Sequence, residues 1–385
     1  MESRNIYFDN GSTSFPKAPN VAEEMCEFLQ KGAFNINRGN YQGAYDLEEK
    51  VQETRERLLR LFHAPKNVNA IFTPGITYSL NYFLKGYLKP GDHVLISGME
   101  HNAVVRPLVQ LEQKGVEWEY VISDERGFTE EESFRRKIKE NTKVIIVNHA
   151  SNVCGTIAPI QKIGELCREK NMVFVVDTAQ SAGTLDINME ENNIDFLAFT
   201  GHKSLLGPQG IGGFLITKEL AQKVEPLIAG GTGSISDQLT MPEFLPDKFE
   251  SGTMNLPGII GLHAALGYIE ETGITKIHEE KMRLTDYFLE RVKEFSEIKI
   301  VGMTGREGRV AVVSLDFVGR DNAMIAFDLE DMYGIMTRVG LHCAPLAHQM
   351  LHTYPQGTVR FAFSPANTKE EIDACIKAFR ELGIQ

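Results

Sequence analysis

Residues 194–204, Ile-Asp-Phe-Leu-Ala-Phe-Thr-Gly-His-Lys-Ser, decide the fold expected of this chain. The apolar run from Phe196 to Phe199 predicts a buried β-strand, which ends before Gly201. Lys203 follows at the carboxyl end of this strand. A lysine held against an apolar wall can have a lowered pKa and form a Schiff base with a carbonyl cofactor. The commoner alternative is a solvated loop lysine, and the rest of the chain decides between the two.

The sequence around this stretch alternates strands and helices. The runs Val144–Val147 and Val173–Val176 show no alternation of apolar and polar residues, as expected of central strands covered on both faces. The predicted strands are Asn69–Thr73, His93–Ser97, Trp118–Val121, Lys143–Asn148, Val173–Asp177, Ile194–Phe199 and Gly212–Thr217. This pattern predicts an α/β fold with a mostly parallel, seven-stranded sheet sandwiched by helices.

The remaining sequence predicts a second, smaller α+β domain. A connection rich in Gly and Pro covers residues 220–256, and mixed strand and helix patterns follow it. We expect a large domain at residues 17–253 and a small domain formed by residues 1–16 and 254–385. The polar, glycine-bearing loop at residues 35–43 either lines a binding cleft or is a plain surface loop.

Composition excludes several classes of protein. The 385 residues are 42% hydrophobic and 24% charged, as in ordinary globular proteins. A net charge of −12 argues against a nucleic-acid or anionic membrane surface. We find no apolar signal core or membrane-spanning run, so the cytoplasm is the default expectation. Five scattered cysteines without a Cys-x-x-Cys pair favour reduced thiols over a disulfide framework or a zinc site.

Polar residues follow five of the predicted strands at their carboxyl ends, where open parallel sheets bind ligands. They are Thr73-Pro-Gly-Ile-Thr77, His101, Asn152, Asp177 and Thr200-Gly-His-Lys203. Each of these signals is weak when taken singly, because a turn aspartate or a surface histidine is as common as a functional one. Together they describe the binding site of one cofactor.

Pyridoxal 5'-phosphate makes four demands that these residues meet. Its aldehyde needs a lysine, for which Lys203 is placed, and Asp177 can keep its ring nitrogen protonated so that the ring acts as an electron sink. His101 can stack on the ring and shuttle protons. The residues suited to its phosphate, through a close backbone approach or a side chain, are Gly75, Thr77, Thr200 and His202.

Five motifs resemble the class V aminotransferase family, and most closely its cysteine desulfurase and selenocysteine lyase branch. They are Thr200-Gly-His-Lys203, Val176-Asp-Thr-Ala-Gln180, Met99-Glu-His101, His149-Ala-Ser-Asn-Val-Cys-Gly-Thr156 and Phe249-Glu-Ser-Gly-Thr253. The resemblance runs from Tyr7-Phe-Asp-Asn to the end of the chain. It implies a pyridoxal-phosphate enzyme of fold type I, normally a homodimer with active sites at the subunit interface.

The resemblance implies further roles, motif by motif. Gln180 would contact the ring hydroxyl, and Asn152 and Arg360 would bind the substrate carboxylate. Thr253 would reach the phosphate bound by the partner subunit. Ile76 stands where the family usually has the first of two threonines, so its backbone amide has to replace one side-chain contact.

The segment Arg338-Val-Gly-Leu-His-Cys-Ala-Pro345 resembles the SufS-type loop, in which the cysteine after the histidine accepts sulfur. The resemblance therefore implies that Cys343 is the nucleophile. Arg338, also a candidate for substrate binding, and His342 could favour its thiolate. An inert core cysteine is the alternative for Cys343 taken alone. The two later histidines, His348 and His352, are expected to be ordinary helix residues.

The favoured hypothesis is a pyridoxal-phosphate-dependent cysteine desulfurase. It would convert L-cysteine to L-alanine, leave a persulfide on Cys343 and pass the sulfur to an acceptor protein or thiol. A selenocysteine lyase, or another class V aminotransferase or lyase in which Cys343 is idle, is the first alternative. The second alternative is a non-catalytic sulfur-carrier scaffold that has kept the fold.

Overall fold

A computed structural model of the chain describes residues 5–32, 34–36, 39, 41–235 and 237–385. The polar loop at residues 35–43 is therefore described only in part, since residues 37, 38 and 40 lie outside the described residues. The predicted small domain likewise includes residues 1–4, which lie outside them.

The described residues form a large sheet, two smaller sheets and the helices that cover them. The strands are β1 (Ile6–Tyr7), β2 (Val68–Thr73), β3 (His93–Ser97), β4 (Glu117–Val121), β5 (Thr142–Asn148), β6 (Val173–Asp177), β7 (Phe196–Thr200), β8 (Gly212–Thr217), β9 (Ile298–Val301), β10 (Val312–Phe317), β11 (Ile335–Met336), β12 (Arg338–Gly340) and β13 (Thr358–Ala362). The helices are α1 (Val21–Lys31), α2 (Gln42–Leu61), α3 (Ile76–Tyr87), α4 (Asn102–Glu112), α5 (Glu131–Arg135), α6 (Ile160–Glu169), α7 (Lys218–Lys223), α8 (Leu256–Thr272), α9 (Ile274–Val292), α10 (Asn322–Tyr333), α11 (Pro345–Met350) and α12 (Lys369–Glu381).

The large sheet has seven strands in the order β2-β8-β7-β6-β5-β3-β4. Strand β8 runs antiparallel to both of its neighbours, β2 and β7, and the other pairs in the sheet are parallel. Each predicted strand of this sheet occurs within two residues of its expected bounds. The prediction of an α/β fold with a mostly parallel, seven-stranded sheet is therefore confirmed.

The central strands are buried on both faces, as their uniform apolar character predicts. In β5, Ile145 and Val147 belong to one apolar core, whereas Val144 and Ile146 belong to the core on the opposite face. Successive side chains of a strand point to opposite faces, so both faces need a cover of helices. Burying each such side chain stabilises the fold by about 1.5–3 kcal/mol.

The register of the central strands brings the predicted cofactor residues to one edge. Asn148 at the end of β5 lies opposite Asp177 at the end of β6, and Asp177 lies opposite Ala198 in β7. Thr200 ends β7 two residues later, and Lys203 follows in the turn. Because these strands are parallel, their carboxyl ends form one continuous rim.

A second sheet has the order β12-β13-β10-β9, with all of its pairs antiparallel. Its register places Arg338 of β12 directly opposite Arg360 of β13. The amino-terminal segment joins this part of the molecule, because β1 pairs with β11 and Asp9 bridges to Ala362. Two arginines are thereby placed side by side next to the amino-terminal segment.

Two successive helices, α8 and α9, pack into different apolar cores. Leu256 and Ile259 at the start of α8 pack into the core of the large sheet, whereas Phe288 of α9 packs into a core with Phe361 of the second sheet.

The division of the chain into domains at residues 16 and 253 stays a prediction. Within the described residues, no helix combines the length and the apolar character needed to cross a membrane.

Candidate active site

Lys203 is the centre of the candidate site. It lies close enough to Asp177, Arg360, Arg338 and Cys343 for their charges to act on its amine. Burial lowers the pKa of Lys203 to about 8, which the negative charge of Asp177 partly opposes. At pH 7 an amine with this pKa is neutral and nucleophilic in about a tenth of molecules, far more than an ordinary lysine, and a lysine that binds an aldehyde needs this neutral form.

A second buried lysine, Lys281, shows that a lowered pKa alone does not identify the site. Burial lowers the pKa of Lys281 to about 8, the same value as that of Lys203. Its Nζ donates to Thr184 Oγ1 at 3.1 Å, and burial is the one cause of its shift. Lys203 differs from it by its nearness to Asp177, so the geometry favours Lys203 over Lys281 as the candidate cofactor lysine.

Asp177 is buried at the end of β6. Its Oδ1 accepts a hydrogen bond from the backbone N–H of Ala179 at 2.9 Å. Burial raises the pKa of Asp177, while this hydrogen bond and the charge of Lys203 oppose the rise. A cationic ring nitrogen placed against this carboxylate would pair with it, as pyridoxal 5'-phosphate requires.

His101 is held as a neutral ring at the start of α4. Its Nδ1 accepts a hydrogen bond from the backbone N–H of Ala103 at 3.0 Å, so the proton of the neutral ring is on Nε2. Burial, followed by the positive charges of Lys203 and the nearby arginines, lowers the pKa of His101 to about 3. A neutral imidazole is suited to stacking on an aromatic cofactor ring.

The residues predicted to hold the phosphate lie at the start of α3 and at the end of β7 and the turn that follows it. The first turn of α3, beginning at Ile76, leaves backbone N–H groups without partners inside the helix. Gly75 lies next to Thr200, since a Cβ on this glycine would make an ordinary contact of 3.7 Å with Thr200 Oγ1. His202 has a buried Nδ1 without a partner, and burial lowers its pKa to about 4. These groups fit a phosphate, and Thr77 is exposed beside them.

The residues predicted to bind the substrate carboxylate also fit an anion. Arg360 is buried, and its Nη1 donates to the backbone carbonyl of Asn152 at 2.9 Å, but its Nε has no partner. The side-chain Oδ1 of Asn152 is also buried without a partner. Gln180, predicted to contact the cofactor, donates from Nε2 to the carbonyl of Gly11 at 2.8 Å. The unpaired Nε–H of a buried guanidinium is a strong donor for a substrate carboxylate.

Cys343 is exposed in a strained turn. Both His342, with φ of 47°, and Cys343, with φ of 59°, have left-handed backbones, which cost about 1–2 kcal/mol per non-glycine residue. Two hydrogen bonds offset this strain: Asn152 Nδ2 donates to the carbonyl of His342 at 2.7 Å, and the Asn102 N–H donates to the carbonyl of Cys343 at 2.8 Å. The turn is therefore held by residues next to the cofactor site. Arg338 Nη2 lies 3.5 Å from the Cys343 sulfur.

The two later histidines do not contact this thiol. His348 lies in α11 and is fully buried, with its ring 5.4 Å from the ring of His342. Its Nδ1 forms a hydrogen bond of 2.7 Å with Thr353 Oγ1. His352 follows the end of α11. His348 is thus a helix residue, as expected, and His352 lies just outside the helix.

Thr253 lies away from Lys203 but beside the segment that precedes α3. It is exposed and lines a cavity of about 590 Å³ together with Arg55 and Glu250. It also lines a cavity of about 160 Å³ together with Thr73 and Pro74, and Lys203 is among the lining residues of neither cavity. The structure therefore brings together the residues of the strand ends and Cys343, and it places Thr253 in different cavities from Lys203 and Cys343. A position away from its own site is what a contact with a partner subunit would require.

Glu100 is a buried residue of the site for which the sequence predicted no role. Its Oε1 accepts hydrogen bonds from the Ser97 hydroxyl at 2.5 Å and from the Asn148 N–H at 2.7 Å, whereas Oε2 is buried without a partner. Burial raises the pKa of Glu100 to about 8. The position of this residue between two strand ends could not be recognised from sequence, because acidic residues are usually exposed.

Replacing Glu100 by glutamine should change how stability depends on pH. A carboxyl whose pKa rises from 4.5 when unfolded to about 8 when folded stabilises the protein fully below pH 4.5, and loses that contribution as the pH rises through 8. We expect Glu100→Gln to exceed the wild type in stability by about 1–2 kcal/mol at pH 8.5 and to lose this advantage at pH 5.5. Thermal unfolding at both pH values measures the difference. Glu112→Gln, at an exposed position of α4, is the control, and identical pH slopes for wild type and Glu100→Gln would contradict the prediction.

The chain belongs to the class V aminotransferase family, whose model matches residues 6–375. Members of this family depend on pyridoxal phosphate. A probable cysteine desulfurase of Pyrococcus abyssi is 34% identical over 98% of this chain and 94% of its own length. The cysteine desulfurase IscS of Clostridium botulinum strain Hall is 30% identical over 99% of this chain and 94% of its own.

Solved structures show the same relationship. A cysteine desulfurase of Thermococcus onnurineus NA1 in its apo form superposes with a TM-score of 0.90 at 32% identity, over 98% of this chain and 94% of that chain. The cysteine desulfurase CsdA of Escherichia coli has a TM-score of 0.87 at 27% identity, over 99% of this chain and 95% of its own. The prediction of the class V family and of its cysteine desulfurase branch is therefore confirmed.

Proposed function

We propose that this protein is a pyridoxal-phosphate-dependent cysteine desulfurase that forms L-alanine and a persulfide on Cys343. The observation that carries the proposal is that Asp177 and Lys203, at the rim of the large sheet, lie close to Arg360 of the second sheet and to the exposed Cys343. The names of relatives that span nearly the whole chain support the same reaction. The alternative reactions considered from the sequence, those of a selenocysteine lyase or of another class V aminotransferase or lyase, would use the same cofactor but would not need the Cys343 thiol.

Arg360 and Asn152 would bind the substrate. The unpartnered Nε–H of Arg360 would bind the carboxylate of L-cysteine, and Asn152 would orient it from the neighbouring turn. Because Asn152 also donates to the carbonyl of His342, the residue that positions the substrate holds the turn that carries the thiol. A bound substrate is thereby placed against Cys343.

Lys203 would remove the α-proton of the substrate. Bound to Lys203, held against Asp177 and stacked on His101, the cofactor would supply an electron sink for the carbon that loses its proton. Once released by the incoming substrate, the Lys203 amine would take the α-proton of the substrate. Its pKa of about 8 lies close to neutral pH, as efficient general base catalysis requires.

The thiolate of Cys343 would then attack the sulfur of the substrate. A sulfur–sulfur bond forms, the carbon–sulfur bond breaks, and its electron pair stays with the carbon skeleton, which becomes L-alanine after protonation. Arg338 Nη2 lies 3.5 Å from the Cys343 sulfur, within hydrogen-bonding distance of the atom that attacks. No external oxidant or reductant is required, because the carbon skeleton is reduced by the electron pair of the broken carbon–sulfur bond while the two sulfur atoms are oxidised to a persulfide.

The resulting persulfide would be open to an acceptor. Cys343, His101, Thr77 and Arg106 line a cavity of about 260 Å³ on the protein surface. An acceptor protein or a small thiol would attack the outer sulfur through this opening. We further propose a homodimer, in which Thr253 of each subunit completes the phosphate site of the other.

Release of sulfide and alanine from L-cysteine tests the proposed function. Protein loaded with pyridoxal 5'-phosphate is incubated with L-cysteine and a reducing thiol, and both products are quantified. We expect equal amounts of sulfide and alanine. Parallel incubations with selenocysteine, cysteine sulfinate and alanine distinguish the other class V reactions, and the absence of any turnover of L-cysteine would overturn the proposal.

A further inference from the structure

Ser12 lies between the two arginines of the site, at the tip of the amino-terminal turn. Its Oγ accepts hydrogen bonds from Arg338 Nη1 at 2.7 Å and from Arg360 Nη2 at 2.8 Å, and it donates to Asp9 Oδ1 at 2.8 Å. A hydroxyl has one donor hydrogen and two acceptor lone pairs, so every hydrogen-bonding position of Ser12 is used.

The two arginines need such a partner because of the sheet register. Arg338 and Arg360 are direct cross-strand neighbours in β12 and β13, and like charges placed opposite one another destabilise a sheet. The positive charge of Arg338 is among the causes that lower the pKa of Arg360, after burial. Asp9 pairs with Arg360 Nη2 at 2.8 Å, so the carboxylate and the hydroxyl together offset the repulsion.

The turn that carries Ser12 is packed closely against the buried guanidinium. A side chain on Gly11 would come within 3.0 Å of Arg360 Cζ, so no residue larger than glycine fits there without displacing the arginine. The turn is anchored on its other side, because Thr13 Oγ1 and the Ser14 N–H donate to the carbonyl of His202 at 3.1 Å and 2.8 Å. Ser12 is therefore held at a defined place between the arginines.

Arg338 and Arg360 would have different roles in the proposed reaction. Arg360 would bind the substrate carboxylate, whereas Arg338 donates to the Cys343 sulfur at 3.5 Å. We propose that Ser12 is a positioning residue that holds both guanidinium groups through one hydroxyl, and so couples substrate binding to the reactivity of the nucleophilic thiol. The role of Arg360 in this proposal rests on the proposed function, whereas the effect of Arg338 on the thiol can be measured without any substrate.

The first test measures the reactivity of Cys343 itself. All variants are made with Cys26, the other exposed cysteine, replaced by serine, so that the rate of alkylation by iodoacetamide at pH 7 reports on Cys343. We expect Ser12→Ala to slow this alkylation about threefold or more, because Arg338 loses its anchor and leaves the thiol. Ser12→Thr, which keeps the hydroxyl, should restore the rate, and Ser296→Ala, at a distant surface hydroxyl, should not change it.

A double-mutant cycle shows whether Ser12 acts through Arg338. In an Arg338→Ala background, Ser12→Ala should cause no further loss of alkylation rate, because the anchored group is gone. If Ser12 only stabilised the fold, Ser12→Ala would lower the melting temperature, and its effect on the alkylation rate would not depend on the presence of Arg338. Equal losses in both backgrounds, or a rate for Ser12→Ala within the error of the wild type, would overturn the proposal.

Steady-state kinetics of the cofactor-loaded enzyme test the link to the substrate. We expect Ser12→Ala to raise the KM for L-cysteine about tenfold, since Arg360 loses one of the partners that orient it. An unchanged KM would overturn the coupling. If the wild type does not release sulfide from L-cysteine, the proposed function fails, but the alkylation rates still decide whether Ser12 positions Arg338.

Discussion

Lys203→Ala is expected to lower the release of sulfide from L-cysteine by at least about a thousandfold, because the variant loses both the covalent attachment of the cofactor and the base that takes the α-proton. The buried amine, with a pKa lowered to about 8, is one that can perform both tasks near neutral pH. Borohydride reduction of the cofactor-loaded wild type should fix the mass of the cofactor on the peptide that contains Lys203. The same treatment of Lys203→Ala should leave every peptide without that mass.

Lys281→Met is the matched control for this experiment. Burial lowers the pKa of Lys281 to about 8, the same value as that of Lys203, but Lys281 donates a hydrogen bond to Thr184 and not to a residue of the site. We expect this variant to keep the cofactor attached to Lys203 and to release sulfide at a rate near that of the wild type. If borohydride instead placed the cofactor on Lys281, the assignment of Lys203 would be wrong.

Cys343→Ala is expected to reduce sulfide release by at least about a hundredfold while leaving cofactor binding intact, because the nucleophile is lost but the residues that contact the cofactor remain. Absorption spectroscopy of the loaded variant measures cofactor binding, and product analysis measures the reaction. Cys26→Ser is the control, since Cys26 is also exposed but lies in α1. Burial raises the pKa of the thiols of Cys167 and Cys375 strongly, so neither can replace Cys343 as a thiolate.

The outcome for Cys343→Ala also decides between the remaining reactions. Full activity of the variant on L-cysteine would contradict the proposed mechanism, because no persulfide could form at residue 343. Full activity on selenocysteine with lost activity on L-cysteine would instead identify a lyase that releases selenium without this thiol. Loss of both activities, with the cofactor still bound, is the result that we expect.

The fold was predictable because its central strands carry long apolar runs. Strand β6, Val173–Asp177, has the same bounds in the prediction and in the structure, since a strand covered on both faces tolerates few polar residues. The antiparallel direction of β8 was not predictable in this way. An apolar run indicates that a strand is buried, but it carries no information on which way that strand runs.

The strand-end residues of the site were predictable for a related reason. Parallel strands present their carboxyl ends on one rim, so Asp177 and Lys203 had to approach each other once the sheet was recognised. Glu100 was not recognised, because its burial depends on how the chain after β3 folds back against β5. Its raised pKa is a property of the packed structure.

By itself, the sequence determined the class of fold, because the apolar runs of the strands mark it locally. It also predicted Lys203 as the cofactor lysine from the residues at the strand ends, and Cys343 as the nucleophile from a resemblance to the SufS-type loop. Only the tertiary structure decided how the site is held together. Ser12 and Arg338 are 326 residues apart in the chain, and their hydrogen bond follows from the meeting of the amino-terminal turn with the second sheet. The paired arginines of β12 and β13 likewise depend on strand register. Hydrogen bonds act over about 3 Å, so contacts between distant segments arise only after packing has brought them together.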